Sequence, residues 1–352
     1  MSEQMSATGL AAELGAKTPI VAAPMAGGPS TPELVVSAWS AGGIGFLAGG
    51  YASAAKLAEQ IDHVRAVAPL FGVNLFVPNP LPVDPTEYCR YRDQLEDWAY
   101  HYGVDLPEKP QEDDDAWEKK LQLLLDQPAP VVSLTFGLPQ AEIITELQHA
   151  GSRVLQTVTS GAEALQAQAA GVDGLILQSS QAGGHSGTWS PRQPLQETTT
   201  PQLVRTIGAE STLPLWAAGG IATPGAAREA IAAGAEAAVV GTVLLRSPES
   251  GANAAHRAGL ASTKYSDTAL TRAFSGRPAR ALRNEFAEEF SASAPLGFPA
   301  LHYLTSPLRK AAAAQGDSSA VNLWAGTGYA EAVAEPAADI IRRLARHPDP
   351  EA

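Results

Sequence analysis

Residues 213–242, LPLWAAGGIATPGAAREAIAAGAEAAVVGT, contain the repeating unit that decides the fold. An apolar run at 213–218 ends at Gly219-Gly220, a helix signal begins at Thr223-Pro224, and a second apolar run follows at 237–241. A threonine N-cap followed by proline is typical of the first turn of a helix. Two strands that are connected through a helix pair in parallel. The stretch therefore predicts one βαβ unit.

The same alternation extends over the first 245 residues, where short apolar runs are separated mostly by Ala-rich helical segments. The eight runs are Pro19–Ala23, Ile44–Ala48, Leu70–Val77, Pro130–Phe136, Arg153–Val158, Val172–Gln178, Leu213–Ala218 and Ala237–Gly241. Eight such units predict an α/β fold of the (β/α)8 TIM-barrel class. An open doubly wound sheet would explain four or five units, but not eight so evenly spaced.

Two segments interrupt this alternation and define the expected organisation of the chain. A Pro-rich, acidic insertion at 78–129 follows the third strand, and we interpret it either as a solvated excursion or as a partial lid over the barrel mouth. We expect the barrel over 1–245, and after the eighth strand a mainly helical addition. That addition divides into a helical or loop lid segment over 246–312, C-terminal helices over 313–345 that return to the barrel, and a mobile tail over 346–352.

The composition limits the classes of partner. Of 352 residues, 45% are hydrophobic, which is enough for a large core, and 24 basic against 37 acidic residues give a net charge of −13. Nucleic acids and anionic membranes are bound by clustered basic residues, so we expect neither as a partner. The single cysteine, Cys89, excludes an intrachain disulfide. No signal peptide or long apolar segment is visible, and we expect a cytoplasmic protein that can form a homodimer.

Glycines follow the seventh and eighth strands, where TIM barrels frequently bind phosphate. Gly219-Gly220 ends the seventh run, and Val239-Val240-Gly241-Thr242 ends the eighth. Bare N–H groups at the start of a helix supply donors and a positive dipole without obstruction by side chains. Glycines also make tight turns for purely structural reasons. Two such loops in the correct order nevertheless favour a phosphate site.

One histidine lies in a loop at the C-terminal end of a predicted strand. Gln178 ends the sixth run, and His185 follows between Gly183-Gly184 and Gly187. The glycines let a flat ring lie against the backbone, and a histidine can move a proton near neutral pH. The alternative is an ordinary histidine of a surface loop. The poorer candidates, in helical or insertion contexts, are His63, His101, His149, His256, His302 and His347.

An amide and a stretch of backbone complete the predicted site. Asn74 lies inside the apolar third run, where an unsatisfied amide costs about 1–3 kcal/mol, so either a neighbouring strand or a ligand must satisfy it. The backbone of Pro24-Met25-Ala26 follows the first strand and borders the same mouth. A phosphorylated planar cofactor such as FMN explains this convergence economically. Pyridoxal phosphate is less suitable, because no lysine ends a predicted strand.

The chain resembles the nitronate monooxygenase family of FMN-dependent barrels, formerly called 2-nitropropane dioxygenases, over residues 19 to about 332. The motifs, which occur in the family's order, are APMAGGPSTPEL, FGVNLFVPNP, VVSLTFGLP, LQSSQAGGHSG, AAGGIATP, VVGTVLLRSPESGA, AFSGRPARALRN and LWAGTGYAEA. Several motifs in one order are far more specific than any one alone. The 81–127 insertion and the tail are poorly covered.

The resemblance implies roles for individual residues. It implies His185 as the catalytic base or as the residue that orients the substrate, and residues 239–242 as the phosphate cradle. The implied FMN contacts are Asn74, Gln178, Gly183 and Gly220, with Gly184 and Gly219 beside them. The chain departs from the common family pattern at Ser179-Ser180-Gln181, Ala281 and Thr327. These departures lie in loops near the expected site and concern the substrate more than the cofactor.

The implied activity is the FMN-dependent oxidation of alkyl nitronates, such as propionate 3-nitronate, by O2 to a carbonyl compound and nitrite. An FMN-dependent enoyl-acyl-carrier-protein reductase using NAD(P)H is the alternative. The net charge disfavours it, since the carrier protein is acidic and like charges repel, unless a local basic patch formed by Arg272, Arg277, Arg280 and Arg283 compensates. A barrel that binds flavin without turnover is a third class, which His185 in its expected loop disfavours.

Overall fold

The computed structural model describes residues 4–346. Its strands are β1 Ile20–Ala22, β2 Ile44–Ala48, β3 Gly72–Phe76, β4 Val131–Thr135, β5 Arg153–Val158, β6 Gly174–Gln178, β7 Gly184–His185, β8 Leu215–Ala218, β9 Ala237–Val240, β10 Thr268–Thr271 and β11 Ala279–Leu282. Its helices are α1 Gly9–Glu13, α2 Pro32–Ser40, α3 Ala54–Arg65, α4 Pro85–Gln94, α5 Glu96–Tyr102, α6 Trp117–Asp126, α7 Ala141–His149, α8 Gly161–Ala169, α9 Thr200–Gly208, α10 Pro224–Ala232, α11 Ala254–Ala261, α12 Glu285–Phe290, α13 Ala300–Ala314 and α14 Ala337–Leu344.

Eight parallel strands close into a barrel in the order β1-β2-β3-β4-β5-β6-β8-β9. The closure is the pairing of β1 with β9, in which Val21 lies opposite Val239. Each of the eight predicted runs contains one barrel strand, and Arg153–Val158 agrees to the residue. The predicted (β/α)8 barrel is therefore confirmed. No helix among residues 4–346 is long and apolar enough to cross a membrane.

The barrel interior is a packed core. Trp216 is fully buried and meets Phe46 edge-on, with ring centroids 6.3 Å apart. Gly72 on the neighbouring strand faces the Phe46 ring so closely that a Cβ there would lie 2.2 Å from a ring carbon. Inside the barrel, the large rings of Phe46 and Trp216 thus pack beside a glycine, because the interior of an eight-stranded barrel is only wide enough to be filled by side chains.

The first helix of the outer layer follows the sequence signals that predicted it. The hydroxyl of Thr31 accepts a hydrogen bond from the Leu34 N–H at 3.1 Å, and Pro32 occupies the first helical position of α2. The helix buries Leu34 and Val35 against the barrel. Gly45 in β2 makes this close approach possible, because a Cβ at Gly45 would lie 2.6 Å from the Val35 Cα.

The insertion and the segment after β9 share a second apolar core outside the barrel. Its larger members include Tyr88, Tyr91, Phe274, Phe286, Phe290, Leu301 and Leu304. Hydrogen bonds join the segments: for example, Tyr91 Oη donates to the Ala273 carbonyl at 2.6 Å, and Trp98 Nε1 donates to Glu289 Oε2 at 3.0 Å. The two excursions thus support each other beside the C-terminal mouth of the barrel.

The expectation of a helical or loop segment over 246–312 was incomplete for the stretch TRAFSGRPARALRNEF, residues 271–286. This stretch contains parts of two antiparallel strands, β10 and β11, which form a small sheet with β7 in the order β10-β11-β7. Ala279 pairs with His185, and Arg280 pairs with Gly184. Strand formation here depends on a partner about ninety residues earlier in the chain, which local sequence patterns do not reveal.

The predicted boundaries in the C-terminal part also need correction. Helix α13 runs from residue 300 to 314, across the expected boundary at 312. Between α13 and α14 the chain is mainly irregular, with short 3₁₀ turns at Ser318–Ala320 and Tyr329–Glu331 instead of continuous helix. Glycines at 326 and 328 let this segment approach the barrel closely. Of the expected tail, Arg346 bridges to Gln4, and residues 347–352 lie outside the described part.

The contact between β2 and α2 yields a prediction for Gly45→Ala. We expect a loss of about 1–3 kcal/mol in the free energy of unfolding, because the added methyl group meets helix backbone that cannot rotate away. Gly208→Ala is the control, since a Cβ there would lie 3.4 Å from a Leu215 methyl group and the residue is helical. Denaturant unfolding measures both, and equal stability of the two variants would contradict the packing.

Candidate active site

A cavity of about 1110 Å³ opens at the C-terminal ends of the barrel strands. The predicted residues that line it are Pro24, Met25, Ala26, Asn74, Gln178, Gly183, Gly184, His185, Gly219, Gly220, Val239, Gly241 and Thr242. Val240 does not line it: its side chain is buried in the core, and its carbonyl accepts a hydrogen bond from Ala23 N at 2.9 Å. The structure thus brings the predicted residues to one site, while their contacts with a cofactor stay predictions.

The glycine loops after β8 and β9 present free backbone donors. The N–H groups of Gly220, Gly241 and Thr242 donate to no described residue. Gly219 and Gly220 have φ angles of +125° and +65°, which only glycine adopts without strain in such a turn. Helix α10 begins four residues after Gly220 with its N-terminus capped by Thr223. Unused donors beside a helix start form the kind of site that binds a phosphate group.

Asn74 is held by the barrel wall through its amino group. Nδ2 donates to the Ser133 carbonyl at 3.0 Å, and it also lies 2.9 Å from the hydroxyl oxygens of Ser133 and Thr135. Because a carbonyl oxygen only accepts, the amide orientation is settled. Oδ1 accepts no hydrogen bond from a described residue. Both sequence-based alternatives therefore hold, since one end of the amide is satisfied by a neighbouring strand and the other is available to a ligand.

Gln178 shapes the loop that carries His185. Its Oε1 accepts from the Gly187 N–H at 2.6 Å, and its Nε2 donates to the His185 carbonyl at 3.2 Å. A single amide at the end of β6 therefore fastens the loop at the histidine itself and two residues after it. Each end of the amide keeps one hydrogen-bonding position for a ligand.

His185 is fixed at the cavity wall by a hydrogen bond and by aromatic neighbours. Its Nε2 lies 2.8 Å from Ser275 Oγ, and Nδ1 has no partner among the described residues. The ring centroid lies 6.0 Å from that of Phe136, 5.6 Å from Phe298 and 5.2 Å from Trp324. With Nε2 engaged, Nδ1 is the ring nitrogen that can meet a substrate.

The surroundings of His185 favour the neutral ring. Burial lowers the pKa of His185 to about 3, and the charges of Arg277 and Arg309 act in the same direction. The side chain also borders the cavity. The uncharged state of the ring therefore has two causes, which are the protein atoms that enclose it and the positive charges of Arg277 and Arg309. At neutral pH the imidazole therefore interacts with a ligand as an uncharged group.

A buried carboxylate anchors the far end of the same loop. Glu163 is 6% exposed, and Oε1 accepts from the Trp189 N–H at 2.7 Å and the Thr188 hydroxyl at 3.0 Å. Oε2 accepts from the N–H and the hydroxyl of Thr159. Four donors satisfy this carboxylate, so its role is to join the loop after β5 to the loop that carries His185.

Comparison with known proteins identifies the family. The family model for nitronate monooxygenase matches residues 10–347. The chain belongs to the nitronate monooxygenase family. A curated relative described as a probable nitronate monooxygenase, from Staphylococcus aureus strain Newman, is 33% identical over 336 residues, which are 94% of each protein.

Solved structures agree with this membership. Nitroalkane oxidase from Streptomyces ansochromogenes is similar with a TM-score of 0.87 and 41% identity, over 93% of this chain and 94% of that one. FabK from Thermotoga maritima is similar with a TM-score of 0.73 and 26% identity, over 95% and 94%. As a member of the nitronate monooxygenase family, the chain is a flavin oxidoreductase that acts on small molecules.

The structure adds cavity residues that sequence reasoning missed in this family member. Tyr51 stacks on His302 with ring centroids 4.3 Å apart, and Arg309 donates from Nη2 to the His302 carbonyl at 2.8 Å. Tyr51 follows Ala48-Gly49-Gly50 after β2, which repeats the Ala-Gly-Gly pattern of residues 218–220, so this pattern could have located it. His302 and Arg309 come from α13, which carries no such signal, and the low ranking of His302 as a helical histidine overlooked its position at the cavity.

Two of the four arginines of the proposed basic patch are held inside the protein, whereas Arg283 is exposed and pairs with Asp267. Arg277 is fully buried, with its guanidinium 3.9 Å from the centroid of the Phe136 ring, and Arg280 is partly buried, donating from Nε to the Ser180 carbonyl at 2.7 Å. Both arginines therefore support the interior of the site, and they do not form a docking surface for an acidic protein.

The insertion reaches the cavity through a short acidic turn. Residues 113–116 line the cavity mouth, and Asp115 Oδ1 accepts from the Tyr51 N–H at 2.9 Å. The other carboxylate oxygen of Asp115 lies 2.7 Å from Nζ of Lys120, a lysine that is 1% exposed. Of the two interpretations of the insertion, these contacts favour a partial lid.

Proposed function

We propose that this chain is an FMN-dependent enzyme that oxidises alkyl nitronates with O2 to a carbonyl compound and nitrite. The observation that carries the proposal is that His185 and Arg309, whose acceptors among the described residues are neutral, line one cavity. Family membership and the similarity to a nitroalkane oxidase support nitro compounds as the substrate class. Propionate 3-nitronate is one substrate of this class.

FMN fits the residues present. The free N–H groups after β8 and β9 suit its phosphate, and the available Oδ1 of Asn74 suits a ring N–H donor. A Cβ at Gly241 would meet Ala23 and Met25 at 3.5 Å and 3.6 Å, so protein atoms leave room there that a ligand can use. When bound, FMN accepts electrons from the substrate and passes them to O2.

The charge at the cavity suits a substrate that is already an anion. Arg309 lines the cavity, and its acceptors among the described residues are neutral: Thr305 Oγ1, Asn322 Oδ1 and groups of His302. Burial lowers the pKa of Arg309 to about 10, which leaves it charged at neutral pH. An uncompensated cation in a partly desolvated site attracts a nitronate more strongly than an uncharged nitroalkane.

His185 then has a defined task. Its neutral ring offers Nδ1 to the substrate, and the lowered pKa makes it a weak base. A weak base suffices for a nitronate, whose carbon-bound proton is already gone, and is poorly suited to a neutral nitroalkane. We therefore propose that His185 mainly orients the nitronate and removes a proton only from neutral nitroalkanes.

The cofactor proposal predicts a yellow protein that releases FMN, and not FAD, on heating. Gly241→Leu should weaken FMN retention at least about tenfold, because the larger side chain extends into the space at the phosphate loop. Gly241→Ala, which meets only ordinary contacts, is the matched control for folding. Flavin absorbance after gel filtration measures retention. A colourless protein that takes up no FMN would contradict the proposal.

The activity proposal predicts oxygen uptake and nitrite release with propionate 3-nitronate or ethyl nitronate in the absence of reduced nicotinamide. The substrate itself supplies the electrons, so adding NADH or NADPH should not raise the rate. An oxygen electrode and a nitrite assay measure this directly. Rapid NAD(P)H oxidation with a crotonyl thioester, together with no response to nitronates, would favour the enoyl reductase instead.

The role of His185 predicts unequal losses in His185→Asn. We expect kcat/KM to fall about 10²–10⁴-fold with neutral nitroalkanes, which need a proton removed, and less with preformed nitronates. His256→Asn is the control, since His256 lines the same cavity but its Nε2 is engaged with the Trp324 carbonyl. Equal losses with both substrates would leave His185 as an anchor only, and unchanged activity would remove it from the mechanism.

A further inference from the structure

Arg277 is a buried cation that forms no ion pair with any residue of the described range 4–346. It is 0% exposed, and Nη1 has no hydrogen-bond partner in the described part of the chain. Burial lowers the pKa of Arg277 to about 9, so the group remains charged at neutral pH. Glu163 is the carboxylate that acts on it electrostatically, but four other donors occupy the oxygens of Glu163. A buried charge is costly, and a neutral side chain would fill this space at lower cost.

The contacts of Arg277 converge on the residues that follow His185. Its Nε donates to the Ser186 carbonyl at 3.4 Å, and its Nη2 donates to the Thr188 carbonyl. Pro278, the next residue, accepts the Ser186 N–H at 2.8 Å through its carbonyl. The guanidinium therefore holds the chain immediately after the histidine from the side of the β10–β11 hairpin.

Two further contacts link Arg277 to the imidazole itself. The guanidinium lies 3.9 Å from the centroid of Phe136, and the Phe136 ring stands edge-on to His185 at 6.0 Å and 86°. Arg277 also ends the Ser275-Gly276-Arg277 turn that places Ser275 Oγ against His185 Nε2. Gly276 allows this turn, with φ +70° and no room for a Cβ, which would lie 2.8 Å from the Gly297 nitrogen.

We propose that Arg277 is a positioning residue of His185: it clamps the carbonyl groups of Ser186 and Thr188 and places a positive charge against the Phe136 ring that borders the imidazole, so that His185 is held to face an anionic substrate. The inference rests on the proposed function for the identity of that substrate. Holding two carbonyl groups requires the planar guanidinium of arginine with its several N–H donors, whereas the electrostatic effect on His185 requires only a positive charge. These two parts respond differently to substitution.

The ionisable groups that act on His185 come from two elements. Arg277 lies on the hairpin, and Arg309 and His302 lie on α13. Ser275, Phe136, Phe298 and Trp324, which also surround the ring, carry no charge. His302 is itself kept neutral, since burial holds its pKa far below the usual range. Arg277 is thus one of two permanent charges, and its removal should make protonation of His185 easier.

The test compares Arg277→Gln, which removes the charge, with Arg277→Lys, which retains the charge and loses the fork. Arg280→Gln is the matched control: Arg280 lies on the same hairpin and also holds a carbonyl of a site loop, that of Ser180. All variants are prepared as flavin-loaded protein, and thermal unfolding together with flavin content verifies folding. Ring-nitrogen NMR of ¹⁵N-histidine protein follows His185, whose signals are assigned by their loss in His185→Asn.

We expect the protonation midpoint of His185 to rise by about one pH unit or more in Arg277→Gln and to stay near the wild-type value in Arg277→Lys and Arg280→Gln. With a nitronate, kcat should fall about 10–100-fold in Arg277→Gln, with partial rescue in Arg277→Lys, while KM changes less. If Arg277 only supported the fold, Arg277→Gln would lower the thermal stability of the protein without changing the protonation midpoint of His185.

Two results would overturn the inference. One is an unshifted His185 midpoint in folded Arg277→Gln, seen as an equal fraction of protonated His185 in variant and wild type at the lowest pH at which both stay folded. The other is wild-type kcat in Arg277→Lys, which would show that no clamp is needed. Failure of the protein to oxidise nitronates would refute the proposed function. The NMR titration requires no turnover, so the protonation midpoint of His185 would still test whether Arg277 positions the histidine.

Discussion

The pairing of β1 with β9 is the constraint on which the rest of the structure depends. It closes eight parallel strands into a barrel, and parallel strands that close in this way deliver all their C-terminal ends to one mouth. Asn74, Gln178 and the glycine loops after β8 and β9 are distant in the chain and adjacent in space for this reason alone. The site exists because the barrel closes.

The barrel provides only part of the cavity wall. The insertion and the segment after β9 form a second core beside the mouth, and this core carries the hairpin and α13 against the site. Arg277 and Arg309 arrive on these added elements. The barrel thus contributes the glycine loops and the histidine loop, whereas the additions contribute the charges that act on the histidine.

Charge is distributed unevenly in a protein whose net charge is −13. Acidic residues of the insertion line the cavity, while Arg277 is buried beside it and Arg309 is partly buried in its wall, both without carboxylate partners in the described chain. In such an enclosed place, water and salt screen a charge poorly. The overall charge therefore says little about the sign of charge that a substrate meets near His185.

Most of the fold follows from local sequence patterns. The eight apolar runs, the threonine and proline at helix starts and the glycines after strands report structure within about ten residues of themselves. They were sufficient for the barrel, because each βαβ unit is a local object and eight of them have one common way to close. Position after a strand was also sufficient to select His185, Gln178 and Gly241 as cavity residues.

By itself, the sequence thus determined the barrel, the mouth at which the site lies and the residues that strand ends bring there. The tertiary structure alone decided the pairing of His185 with Ala279, the contact of its ring with Ser275 and the arrival of Arg277, Tyr51, His302 and Arg309. These contacts join segments about ninety or more residues apart, and no periodicity connects such segments. Whether a histidine is a base or a neutral anchor depends on the charges around it, and only the folded chain places those charges.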